Sequence, residues 1–229
     1  MPAWKDYQEE TATYYRDLGL SAETDAPLRG ARGHHKADVA VRGHQPGIEF
    51  LWIVECKYWN RSVDKSVVTT LMTIVQDVGA DRGIILSKRG FQAGATAQAR
   101  NTNITLTSLE ELQANTHDEY IEYQCAMLRQ RCNAVVDRGN EGMKVVWEMP
   151  PSPGGLTTMT ATGGLDYRVR GRISMLQSAV DVAARDNWPI DVVVVADEVE
   201  RQIRAHNMDD LRQIVGNALA ATEDELGFT

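Results

Sequence analysis

The stretch from Ile48 to Trp59 constrains this chain more than any other. It reads IEFLWIVECKYW, dense in the β-branched and aromatic residues of a core strand, yet it carries Glu55 and Lys57 near its end. An ionised side chain in apolar surroundings is costly unless it is paired or bound to a metal. Side chains alternate along a strand, so Glu55 and Lys57 point to one face while Cys56 points to the other, its carbonyl oxygen near the same edge. A carboxylate, a carbonyl and an ammonium therefore meet at one end of a buried strand.

The flanking sequence supplies a sheet for that strand. Trp4, Tyr7, Tyr14, Tyr15 and Leu18 recur at helical spacing and Gly19 follows as a stop, which predicts a first helix over Trp4–Leu18. A short extended stretch around Ala26 to Leu28 leads into the loop GARGHHK, after which ADVAV alternates, so three strands in a meander are expected. Val67, Val68, Leu71, Ile74, Val75 and Val78 form a helical stripe within Val63–Val78 that GADRG breaks. GIILS reads as a buried strand, FQAGATAQAR as an alanine-rich helix and NITLT as another strand. SLEEL opens a helix, with Ser108 as N-cap and Glu111 completing a capping box. Residues 1–115 are thus expected to form an α/β domain in the order helix, three-strand meander, helix, strand, helix, strand. Its sheet should be covered on both faces and parallel in its second half.

Residues 116–229 change character and are expected to form a smaller α+β domain. A long helix is predicted over His117–Val136, then a hairpin from KVVWEM and LTTMTA around the loop MPPSPGGL. A helix over Arg172–Ala184, a strand at Ile190–Val195 and a return strand near Glu200–Ala205 follow. Asn207 caps a final helix, with Asp209 and Asp210 in its first turn. Nothing in this half reads as a catalytic motif.

The formal net charge of −8 argues against a nucleic-acid partner until its distribution is considered. Residues 1–27 carry −4, residues 28–100 carry +5 and residues 101–229 carry −9, so the middle is basic inside an acidic chain. Arg29, Arg32, His34, His35 and Lys36 immediately precede Asp38, and Arg61 and Lys88 lie beyond the strand; these side chains could track a phosphate backbone, or equally form a solvated face. Three scattered cysteines make no disulfide framework, and Cys125 and Cys132 read as core residues. No run is long and apolar enough to cross a bilayer, and the first ten residues carry charges where a signal peptide would be apolar. A cytoplasmic protein away from membranes is expected.

If Asp38 lies beside Glu55, two carboxylates and the Cys56 carbonyl offer the hard oxygen ligands that Mg²⁺ prefers, and Lys57 could orient or help deprotonate a water. Ser87 and Lys88 could reach a phosphate from the strand GIILS, or merely end it. Trp59 could stack on a base or simply close its strand. There is no Ser/His/Asp arrangement, no phosphate-cradling GxxxxGK and no His-rich zinc spacing.

YQEETATYYRDLGL, ADVAV with Asp38, IVECKYW with Glu55 and Lys57, and VGADRGIILSKRGFQAGATAQARNTNITLTSLEEL together resemble the Mrr-like branch of the restriction-endonuclease superfamily, over roughly residues 7–113. That resemblance implies a restriction-endonuclease-like core, dependence on Mg²⁺ or Mn²⁺ and hydrolysis of DNA phosphodiesters, in a prokaryotic restriction or phage-defence setting. It implies that Asp38 and Glu55 are metal ligands and that Lys57 assists the nucleophilic water. Many relatives have a glutamate on the first helix, eleven residues before its terminal glycine; here that position is Gln8, which weakens a second metal site and leaves Gln8 to hold a water. One such centre cuts one strand, so a homodimer, or a protein partner bound through the acidic C-terminal half, is expected. The rival reading is a catalytically silent nucleic-acid-binding or scaffolding module of the same fold, but such a module is expected to have lost one of Asp38, Glu55 or Lys57. A nuclease acting on RNA or branched DNA is the other alternative.

Overall fold

The computed structural model describes residues 2–45, 47–141, 143–148, 158–196 and 199–228. The chain divides into two compact units, Met1–Tyr120 and Ile121–Thr229.

In the first unit, helix α1 (Ala3–Asp17) is followed by strands β1 (Ser21–Arg29), β2 (His34–Gln45) and β3 (Ile48–Lys57). Helix α2 (Lys65–Val78), strand β4 (Arg82–Ser87), helix α3 (Ala93–Ala99), strand β5 (Ile104–Thr107) and helix α4 (Leu109–Asn115) complete it. The strands form one sheet in the order β1-β2-β3-β4-β5. β1, β2 and β3 pair antiparallel, and β3, β4 and β5 pair parallel, so the expected mixed α/β sheet is present.

Alternation divides each strand between two cores. Val39, Val41, Val54, Cys56, Ile84 and Leu86 pack with Tyr7, Ala12 and Tyr15 of α1 and with Leu109 of α4. Ala40, Ile53 and Ile85 pack on the other side with Val68, Leu71 and Val75 of α2 and Ala95 and Ala99 of α3. Local chemistry ends the helices where it should. Asp64 caps α2 through the Ser66 N–H, Gly79 stops it in the left-handed region at φ 74°, and Ser108 and Glu111 form the expected capping box.

Two boundaries differ from expectation. β1 begins at Ser21 rather than near Ala26, and His34, His35 and Lys36 belong to β2 rather than to a loop. The turn is only residues 30–33, because the pairing Arg29↔His34 carries the ladder to its edge. α2 starts at Lys65 instead of Val63, which is fully buried and bridges to Phe91. An apolar residue just before a capping Asp is a packing anchor rather than a first turn.

The second unit continues from α5 (His117–Gly139) through a hairpin of β6 (Lys144–Glu148) and β7 (Thr158–Thr162), helix α6 (Tyr167–Ala183), a hairpin of β8 (Ile190–Ala196) and β9 (Val199–Ala205), and helix α7 (Met208–Glu225). The loop MPPSPGGL lies outside the described residues. α6 begins five residues before the expected Arg172, because Asp166 caps it through the Arg168 N–H. Asn207 caps α7, as expected, by accepting from the Asp210 N–H. Ile173, Leu176 and Val180 of α6, Leu211, Val215 and Leu219 of α7 and Val192 of β8 are buried and form this unit's apolar interior.

Candidate active site

Asp38 occupies a fault in the sheet. The β1/β2 register runs Thr24↔Val39 and then Ala26↔Ala37, passing over Asp25 and Asp38, while the β2/β3 ladder ends at Val39↔Val54. Alternation slips at the same place, since Ala37 and Ala40 both face the α2 side although Val39 between them faces α1. Opposite the fault, Asp25 has φ 55°, a left-handed conformation that is uncommon outside glycine and best tolerated by Asp and Asn. Freed from both ladders, the Asp38 carboxylate accepts the Cys56 N–H at 2.8 Å, the donor a continuing strand would have taken. Bulge-like irregularities of this kind re-aim side chains beside active sites.

Glu55 and Lys57 lie at the C-terminal end of β3, opposite Ile85 and Ser87 of β4. They share the face of Ile53, as expected, and the Lys57 Nζ donates to Glu55 Oε1. The Lys57 ammonium also lies 5.1 Å from the centroid of the Trp59 ring, whose other cationic neighbour is the Arg61 guanidinium at 4.8 Å. Trp59 packs against the α2-side core, so closing the strand is the role it fills here.

Both carboxyls are held above their ordinary range. Burial is the main cause for Asp38, opposed by the Cys56 N–H and the Lys57 charge. For Glu55 burial again leads, the Asp38 charge adds to it, and Lys57 opposes both. Two acids in a partly dry place, one raising the other and only one ammonium against them, leave an excess of negative charge. No group of three or more His, Cys, Asp or Glu side chains among the described residues is arranged to hold a metal ion.

Gln8, 5% exposed on α1, hydrogen-bonds the Asp38 carboxylate. Cys56 points to the α1 side as expected. Its buried thiol donates weakly to Thr11 Oγ1 at 3.7 Å and is pushed up to about 12 by burial, so any ligand from Cys56 is its carbonyl and not its sulfur. Glu9, the neighbour of Gln8, pairs with Arg16 at 2.7 Å and with Thr24 at 3.3 Å.

The structure separates the basic residues by partner. Arg32 and His35 are tied to Asp77 at the end of α2, Nε of Arg32 at 2.9 Å and Nε2 of His35 at 2.7 Å, with the Arg32 backbone N–H donating as well. Lys36 pairs with Asp25, Arg61 stands 3.9 Å from Asp64, and Lys88 donates to the Tyr58 hydroxyl with its ammonium over that ring. Arg29 and His34 face each other across the β1/β2 pairing and are both exposed. Ser87 is buried and donates to the Gly90 carbonyl, so it ends its strand and does not reach outward.

Asp77 was not among the sequence candidates. Its side chain is 4% exposed, and its three hydrogen bonds and the backbone contact from Ala31 bind the β1–β2 turn to α2. Gly30 is required there, since a Cβ would stand 2.0 Å from Asp77 Oδ2. The signal was present: an acid in the last turn of a helix opposes the helix dipole and needs a reason to be there.

The family model for restriction endonucleases, Mrr catalytic type, matches residues 2–115. No curated protein matches the chain. A solved structure described as the crystal structure of a protein of unknown function, AF1548, is 17% identical, with a TM-score of 0.42, over 60% of this chain and 85% of that one. The matched residues contain the sheet fault, Asp38, Glu55, Lys57 and the helices that hold them, and the chain therefore belongs to the Mrr-type restriction endonuclease family, with a nuclease domain over residues 2–115.

Proposed function

We propose that the chain hydrolyses DNA phosphodiesters with a divalent cation, Mg²⁺ or Mn²⁺, held by Asp38 and Glu55. The observation that carries this reading is the pair of half-buried carboxyls, each raised above its usual range, facing one ammonium at the fault between β2 and β3. Burying two like charges is costly with nothing to share them, and a hard cation with oxygen ligands fits that donor set. When bound, such a cation would lower the pKa of the attacking water and offset the charge gathering on the phosphate.

The protein's own groups supply the rest. The Cys56 N–H and the Gln8 amide both stabilise the charged Asp38 carboxylate and help hold it in place. Glu55 holds the Lys57 ammonium at the rim of the sheet, where it can orient a water in line with the phosphorus and donate to a non-bridging phosphate oxygen. A phosphate backbone would approach from the basic side of the domain, where Arg29, Lys36, Arg61 and Lys88 are exposed. Residues 121–229 serve in this reading as the surface for a second copy or a partner protein, in a restriction or defence setting.

The test offers supercoiled, linear, single-stranded and branched DNA and an RNA to the purified chain, with Mg²⁺, Mn²⁺ or EDTA. Cleavage of DNA that needs the cation and is lost in Glu55→Gln supports the reading. Cleavage in EDTA, or equal cleavage by Glu55→Gln, contradicts it, and preference for RNA reassigns the substrate.

A further inference from the structure

Beside Asp38 a second polar centre is assembled from three elements. The Asp25 carboxylate, at the left-handed residue opposite the sheet fault, receives the Lys36 ammonium of β2 on Oδ1 at 2.7 Å. The Lys5 ammonium of α1 lies 4.0 Å from its Oδ2. All three side chains are substantially exposed, at 42% for Asp25, 64% for Lys36 and 43% for Lys5. Asp25 and Asp38 occupy the positions passed over between Thr24↔Val39 and Ala26↔Ala37, and the Asp25 charge bears on Asp38, so this centre lies beside Asp38.

Its charge is unbalanced. One carboxylate stands between two ammoniums, which leaves a surplus positive charge and donor hydrogens that a single acid cannot satisfy. Several other cations of this region have partners that hold them in the fold: Arg32 and His35 at buried Asp77, Lys57 at Glu55. The Lys5–Asp25–Lys36 group is different because its acid is exposed and shared. Lysine ammoniums are compact point charges that bind phosphate oxygens without demanding planar geometry. A left-handed aspartate is a sterically disfavoured way to place a carboxylate, and here its result is to gather the lysines of two elements beside Asp38.

We propose that Lys5 and Lys36, gathered on Asp25, form a phosphate-binding site for the nucleic-acid backbone that leads into the Asp38–Glu55–Lys57 centre. The incoming phosphate displaces part of the Asp25 contact and takes both ammoniums. Asp25 keeps two like charges together in the free protein and competes with the phosphate in the complex. The site needs no divalent cation. It rests on the nuclease reading for the direction of the strand, but its binding chemistry can be measured apart from cleavage.

The experiment is binding of a fluorescent DNA duplex to the full chain in EDTA, followed by anisotropy across a NaCl series. Each of Lys5→Gln and Lys36→Gln is expected to weaken binding about threefold and to lower the slope of log affinity against log salt by about 1, and the double variant to lower it by about 2. Asp25→Asn is expected to tighten binding, which loss of a merely structural partner does not do. Arg82→Gln serves as the control, because Arg82 begins β4 at the end of the sheet away from Lys57 and bonds Thr105. Lysine variants that keep the wild-type slope, an Asp25→Asn protein that binds more weakly while its circular dichroism is unchanged, or an equal loss in Arg82→Gln overturn the proposal. Wild-type slopes in both lysine variants of a protein that cleaves DNA sink this site alone. Reduced slopes in a protein that never cleaves sink the nuclease reading and leave the phosphate site standing.

Discussion

Replacing Asp38 by asparagine should make the metal-free protein more stable while removing its activity. Asparagine has the same shape, its oxygen still accepts the Cys56 N–H, and Gln8 can turn its amide to suit. What disappears is a half-buried charge that also raises Glu55. Both acids have native pKa values above the ordinary carboxylate range, so the native state binds their protons more tightly than the unfolded chain does. The stability they contribute is therefore present below the unfolded value of about 4 and is lost as pH rises through the raised native values. At pH 7 in EDTA the charged pair is a liability. Relieving a functional site of this kind typically returns about 0.5–2 kcal/mol, and the partial exposure of Asp38 and the offset from Lys57 place the expectation in the lower half of that range. Protection of the β3 amides against hydrogen exchange in EDTA reads this domain without interference from residues 121–229. Asp38→Asn should gain protection at pH 7, the gain should vanish near pH 4, and Mn²⁺ should stabilise only the wild type. An asparagine variant less protected than wild type at pH 7, or a gap unchanged between the two pH values, refutes the reasoning.

Three further outcomes follow from other contacts. Lys57→Met should lower cleavage by about 10²-fold or more if the proposed role of its ammonium at the phosphate holds, while duplex affinity changes only a few-fold; a rate assay at saturating DNA separates the two. Gly30→Ala should destabilise the protein by about 1–3 kcal/mol because its Cβ meets the Asp77 carboxylate, whereas Gly33→Ala, with nothing within 4 Å, should be neutral or slightly stabilising in urea denaturation. Cys56, Cys125 and Cys132 are all buried with their thiols raised by burial, so a thiol reagent at pH 8 should modify them slowly in the native protein and rapidly in denaturant.

Elements with strong local signals were legible in the sequence. The stripe from Val67 to Val78, the Ser108–Glu111 capping box and the run from Ile48 to Lys57 each state their structure through spacing alone, and so does the shared face of Glu55 and Lys57. The sheet fault was not legible, because it is a relation between strands: nothing in ADVAV tells that β2 leaves both ladders at Asp38, or that Asp25 takes φ 55° opposite it. The basic stretch before Asp38 was legible as charge but not as chemistry. Only the fold shows that Arg32 and His35 turn to Asp77, forty-two residues or more along the chain, while Lys36 turns to Asp25, which Lys5 also approaches. Long-range pairing decides which of several similar cations faces outward, and composition does not carry that information.

The most direct measurement is the anomalous scattering of Mn²⁺ in crystals of the full chain. A peak within about 2.0–2.3 Å of an oxygen of both Asp38 and Glu55, absent in Asp38→Asn crystals grown the same way, is the expected result. Wild-type crystals that bind Mn²⁺ elsewhere, or carry no peak between those two carboxylates while the enzyme still cleaves DNA in the same buffer, would contradict the account.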